Sequence, residues 1–164
     1  KQAEVGEALT REKIVGAPDM KPGGIAPAAE LGSLPTCDVA RQPIDSGAKA
    51  KCFADYMRVH ALKATGGKTY AELPRAVTAD SKQPVPNDQA DAALANGTAI
   101  DNPQRQLWVT ETSLSTALNT AFFAESVARL AMWIGTAFLL VGISLLMIFV
   151  SAGRKPSAAP RSRT

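Results

Sequence analysis

A single histidine, His60, and two cysteines, Cys37 and Cys52, are all the imidazole and thiol that 164 residues provide. One histidine excludes the two-histidine-one-carboxylate iron site within one chain. Two thiolates and that imidazole make at most a Cys2His set, one protein ligand short of a closed structural zinc site. There is no Gly-x-Ser-x-Gly elbow, no phosphate-binding Gly-Lys-Ser/Thr loop and no dinucleotide fingerprint. Gly66-Gly67-Lys68-Thr69 has the end of a phosphate loop, but it lacks the first glycine at the required spacing and does not follow a strand. An excess of charge is also missing over most of the chain. Up to residue 110 there are 13 Lys plus Arg and 13 Asp plus Glu, so the net charge of +3 comes entirely from beyond it. No basic face for nucleic acid is encoded. These absences leave no catalytic residue, metal or cofactor to name, and they argue against an enzyme.

Charge is absent altogether from residues 130 to 152, a run of 23. At ~1.5 Å per residue a helix of this length reaches about 34 Å, enough to cross a ~30 Å hydrocarbon layer with some tilt. Lipid offers no partner to backbone N–H and C=O groups, so the crossing segment must be helical. Arg154, Lys155, Arg161 and Arg163 follow it with no acid among them, whereas the upstream flank holds only Arg129, with Glu125 one turn away to offset it. By the positive-inside rule the C-terminus is cytoplasmic and residues 1 to about 128 are extracytoplasmic, in the plasma membrane. Trp133 is placed to sit at the outer interface. An exported N-terminus needs a targeting segment, which is expected upstream of Lys1.

Both cysteines then lie in an oxidising compartment, which favours a Cys37–Cys52 disulfide over a metal site. Closing a loop of about 15 residues restricts the unfolded chain by roughly 3 kcal/mol in the entropy model, a considerable share for a region with few large apolar side chains. Val5, Ala8, Leu9, Glu12 and Val15 fall at three- and four-residue steps, predicting a helix over residues 4 to 15. Residues 16 to 35, rich in Gly, Pro and Ala, read as an extended connector. Asp45 or Ser46 can cap a helix from about residue 47 to 64, ended by Gly66-Gly67, with Phe53, Met57, His60, Ala61 and Ala64 on one face. Residues 68 to 74 read as a short turn whose Tyr70 and Leu73 can pack back. Residues 75 to 109, with Pro84, Pro86, Asn87, Asn96-Gly97 and Pro103, read as a flexible linker.

Thr110 or Thr112 can cap a helix that continues into the membrane, with Glu111 at its positive end. Along it Ala117, Ala121, Ala124, Ala128, Ala131, Gly135, Phe138 and Gly142 recur at steps of 4, 3, 4, 3, 4, 3 and 4. This is the 3.5-residue period of left-handed helix packing. Seven of the eight are Ala or Gly, so another backbone can approach closely, in an upstream helix, a second copy or another membrane protein. Leu114, Leu118, Phe122 and Leu130 avoid this seam.

The chain resembles a family of small actinobacterial membrane proteins of unknown function. The matching stretches are Arg11-Glu-Lys-Ile-Val15, the spaced Cys37 and Cys52, the run from Ala54 to Leu73 that contains His-Ala-Leu-Lys-Ala-Thr-Gly-Gly-Lys-Thr-Tyr-Ala-Glu-Leu, and the run from Leu114 to Phe123. The resemblance covers most of the chain outside residues 75 to 106. It implies an N-terminal hydrophobic helix, an external segment and a C-terminal membrane helix. Some members carry a label as aromatic ring-opening dioxygenases, which a chain with one histidine does not equip itself to honour.

The expected architecture is therefore mainly α. A small disulfide-tied extracytoplasmic helical region (1–74) is followed by a linker (75–109), a juxtamembrane and transmembrane helix (110–152) and a basic cytoplasmic tail (153–164). The expected function is that of a non-catalytic membrane-anchored accessory or assembly subunit of a cell-envelope complex, with lipid and a membrane-protein partner or a second copy as its contacts. The competing reading is an extracytoplasmic small-ligand or metal-binding protein that contributes to an enzyme, with His60 and Tyr70 as the contacts.

Overall fold

The computed structural model describes residues 2 to 153, with side-chain surroundings from residue 4 onward, so the cationic tail of Arg154, Lys155, Arg161 and Arg163 lies outside the described residues. The chain is mainly helical, in the order α1 (Gln2–Arg11), a 3-10 turn (Ala29–Leu31), α2 (Gly47–Ala64), β1 (Ala76–Thr78), β2 (Pro84–Val85), α3 (Ala90–Ala95), β3 (Ala99–Asp101) and α4 (Pro103–Gly153). It divides into two compact units, one up to Ser126 and one from Val127.

In the first unit the sequence punctuation sets α2. Ser46, in an extended conformation, accepts the Lys49 N–H on its hydroxyl. At the other end Gly66 and Gly67 adopt positive φ of 62° and 78°, and the Gly67 N–H returns to the Leu62 carbonyl at 2.8 Å. This six-to-one bond closes a helix on a left-handed residue, which glycine adopts without a Cβ penalty. Gly66-Gly67-Lys68-Thr69 is thus a helix cap. Ala50, Cys52, Phe53, Ala54, Tyr56, Val59 and Ala61 are all buried, so α2 is enclosed on more than the single face expected, while Ala64 is exposed.

The first helix is shorter than its periodicity suggests. Lys13 turns out of it at φ 52°, and the chain continues into a bridge between Val15 and Pro43. Residues 16 to 35 are not a bare connector, because Met20, Ile25 and Leu31 are buried in the core with Leu9, Val39, Ile44 and the α2 side chains. Backbone bonds from Val39 to Met20 and from Arg41 to Gly16 hold this segment in place. A Cβ on Gly16 would overlap the Val39 carbonyl, so the approach requires glycine.

Residues 75 to 109 form ordered structure in place of the expected linker. β1 is the centre of a three-stranded antiparallel sheet in the order β2-β1-β3, with Ala76 opposite both Val85 and Asp101. α3 closes it over a small core of Ala76, Val85, Ala90 and Ala99. α4 starts at Pro103 rather than near residue 110. The Asn102 side chain accepts the Gln104 N–H at 3.0 Å and donates to the Pro74 carbonyl at 2.9 Å, and Pro103 takes the first helical position, where a missing N–H costs nothing. Thr110 bonds back to the Gln106 carbonyl inside the helix, so it caps nothing, and Glu111 lies well inside α4 instead of at its start.

The second unit is the remainder of α4. Every side chain from Arg129 to Gly153 is exposed, and the most apolar 18-residue window of the helix has a mean hydropathy of 2.4 with nothing covering it. Thr136 and Ser144 donate their hydroxyls to the Met132 and Leu140 carbonyls, so these polar groups need no water. α4 is the one described helix long and apolar enough to cross a membrane.

Candidate interaction site

The geometry of the first unit follows from two points at which α2 meets α4. The Gly47 N–H donates to a Glu125 carboxylate oxygen at 2.6 Å, and the Gln104 side chain donates to the Ala64 carbonyl at 3.2 Å. The start of one helix therefore meets the later part of the other, and the two run antiparallel. Glu125 places its negative charge on the positive end of α2 and satisfies one of the N–H groups left over at a helix start. A Cβ on Gly47 would come within 2.6 Å of that carboxylate oxygen and 2.8 Å of the Phe122 Cα, so glycine is what permits the close approach.

At the other end Trp108 is buried against Ala61 and Leu73, its indole N–H donating to the Lys68 carbonyl at 2.9 Å with the Arg58 guanidinium 5.4 Å above its ring. The buried Thr65 hydroxyl also donates to that carbonyl, at 2.5 Å. Glu111 is buried between these ends and accepts from the Ser115 and Thr112 hydroxyls at 2.9 and 3.3 Å. Trp108, Glu111, Ser115, Leu118, Phe122 and Glu125 step along α4 by three and four residues and form its inward stripe.

Cys37 and Cys52 are joined by a disulfide with a Cα–Cα distance of 6.1 Å, so the two sulfurs are not free for a metal. Beside the bridge, Tyr56 is buried and its hydroxyl donates to the Pro35 and Cys37 carbonyls at 3.2 and 3.0 Å. Burial, with smaller contributions from Asp38 and Asp19, raises its pKa above the ordinary phenol value. Bridge and phenol together fix the wall of a cleft of about 750 Å3 whose other side is Asp55, Arg58 and Val59 of α2.

The seam is divided by this packing. Ala121 is half-buried against the core, and Ala128 is half-buried too. Ala117, Ala124, Ala131, Gly135 and Gly142 are exposed, and a Cβ placed on either glycine would touch nothing within 4 Å. The seam therefore lies beside the inward stripe, and most of it has no partner among the described residues. His60 and Tyr70 engage different groups. The His60 Nε2 lies 3.1 Å from an Asp19 carboxylate oxygen, while Tyr70 lies under the Arg105 guanidinium at 4.0 Å and lines a second cleft, of about 580 Å3, with Arg75, Asp101 and Gln106. Among the described residues no three His, Cys, Asp or Glu side chains converge as a metal ligand set.

No family model, curated protein or solved structure matches the chain. Trp108, Glu125, Tyr56 and Asp19 hold the geometry of the first unit together without standing out in the sequence. The stepping of the α4 stripe back through Glu111 to Trp108 is the signal that would have placed the helix start correctly.

Proposed function

We propose that this protein is a non-catalytic, membrane-anchored accessory or assembly subunit of a cell-envelope membrane complex. Its disulfide-tied unit lies outside the plasma membrane and its C-terminus in the cytoplasm. The observation that carries this reading is the unpartnered helix: small residues at heptad-like spacing from Ala117 to Gly142, most of them open, on a helix whose membrane-length part nothing covers. Helices associate in lipid through close backbone contact rather than hydrophobic burial, and Ala and Gly at this spacing permit that contact. The disulfide fits an extracytoplasmic location. The same features suit a small member of the actinobacterial membrane-protein family that the sequence resembles.

The test is purification of the full chain in mild detergent with a photo-crosslinking residue at Ala124, Ala131 or Gly135. The reading predicts a stoichiometric partner, or a second copy, crosslinked through these positions and not through Leu140, on the opposite side of α4. A solitary monomer without crosslinks contradicts it. The competing ligand-binding reading draws on the Tyr70 cleft and on the His60–Asp19 pair. It predicts a small molecule retained in native mass spectrometry and lost in His60→Ala or Tyr70→Ala.

A further inference from the structure

Large apolar side chains are exposed on α4 well before the uncharged run at Leu130. Leu107 and Val109, 40% and 44% exposed, stand about four turns before Phe123, whereas Phe123, 67% exposed, and Val127, 47% exposed, lead directly into that run. At about 100° per residue these two lie roughly 140° and 180° around the helix from Leu118, which fills the core. Their exposure is therefore not the margin of the α2 contact, because they stand on the opposite side of α4. Leu130 and Ile134 continue the same face, which borders the seam on one side, where Val127 lies between Ala124 and Ala131.

Charge does not prevent this turn from meeting lipid. Glu125 is held by the Gly47 amide. Arg129 has a long stem on a helix whose side chains lean toward its N-terminus, so its guanidinium can reach outward to the headgroups. The exposed large apolar series from Phe123 to Val150 covers 28 residues. At ~1.5 Å each this is about 42 Å, against a hydrocarbon core of ~30 Å and ~40–45 Å with the interfacial layers.

We infer that the outer interfacial layer of the bilayer lies at residues 123 to 127 of α4, with Phe123 and Val127 facing the headgroup–acyl boundary. The hydrocarbon core then starts near Val127 rather than at Leu130. This rests on the membrane-spanning reading of α4. The occupant is lipid rather than a second copy, because the patch is continuous with the bulky residues Leu130 and Ile134 of the span, and Phe123 stands about 100° or more around the helix from Ala121, Ala124 and Ala128 of the seam.

Spin labels on single cysteines at Phe123, Val127, Leu140 and Lys82 test it, using the full chain in nanodiscs of phosphatidylcholine and phosphatidylglycerol. Accessibility to oxygen and to a water-soluble nickel chelate is read at each site, and the intact Cys37–Cys52 bridge reports folding. The expected result is an oxygen-to-nickel ratio at Phe123→Cys and Val127→Cys raised well above that of the exposed hairpin site Lys82→Cys, toward that of Leu140→Cys. A water-like ratio at Phe123→Cys and Val127→Cys with an oxygen-favoured Leu140→Cys overturns the inference and leaves the span intact. Low access to both reagents at Phe123→Cys and Val127→Cys overturns it in favour of a protein contact. A water-like ratio at Leu140→Cys overturns the membrane-spanning reading and the inference with it.

Discussion

Gly47→Ala tests how α2 and α4 are joined. The new methyl group would stand 2.6 Å from the Glu125 Oε2 and 2.8 Å from the Phe122 Cα. The carboxylate can swing aside, which forfeits the bond to the Gly47 N–H, a cap and helix-dipole contact of about 1 kcal/mol. The Phe122 Cα is backbone and yields only if the helices separate, an overpacking cost of about 1–3 kcal/mol. Against these stands a gain of at most about 1 kcal/mol from alanine's better helix propensity. The net expectation is a loss of roughly 2 kcal/mol, which for a unit of this size lowers Tm by about 8 °C. The assay is thermal unfolding of the full chain in nanodiscs in a Trp133→Phe background, where Trp108 is the sole remaining indole and reports the first unit. Glu125→Ala alone should cost about 1 kcal/mol, and the double variant should fall short of the sum by about that amount, since the methyl group has already displaced the carboxylate. A Gly47→Ala protein that melts at or above the parent temperature, or full additivity, would refute the close approach.

Three further outcomes follow from the same contacts. Replacing both Cys37 and Cys52 by Ser should cost about 3 kcal/mol in chemical unfolding, and reducing agent should shift the parent but not the variant. Tyr56→Phe leaves the Pro35 and Cys37 carbonyls without a donor and should cost about 1 kcal/mol at neutral pH. Because the folded-state pKa of Tyr56 is raised, the contribution of its protonated form is complete below the ordinary phenol value near 10. It is lost as pH climbs through the higher folded value, so the parent should lose stability above about pH 10 in a step that Tyr56→Phe lacks. Trp108→Phe removes one of the two donors to the Lys68 carbonyl and part of the stacking surface under Arg58, and should cost about 1–3 kcal/mol by denaturant titration with little change in m.

The ends of α2 were legible because each is written in local chemistry, a serine cap before it and two glycines after it. The long apolar part of α4 was legible from the absence of charge, and the disulfide from there being only one pair to form. The sheet was not legible. Its strands have two or three residues, too few for alternation to show, and its core is built mainly of alanine. In the sequence Pro103 reads as one more linker proline, whereas after Asn102 it is a helix-starting residue. Met20, Ile25 and Leu31 sit in a Gly- and Pro-rich stretch without period, and only tertiary bridges to residues 39 to 44 bring them inside. The seam could be read as spacing, but which of its members remain open depends on where α2 lands.

The orientation of α4 decides on which side of the membrane the disulfide-tied unit lies. Single cysteines at Lys82, in the hairpin of the first unit, and at Ser162, in the tail, can be challenged with a membrane-impermeant maleimide on intact cells and again after lysis. With the first unit outside and the C-terminus in the cytoplasm, Lys82→Cys labels at once and Ser162→Cys only after lysis. The reverse pattern, or labelling of both sites on intact cells, would contradict this orientation.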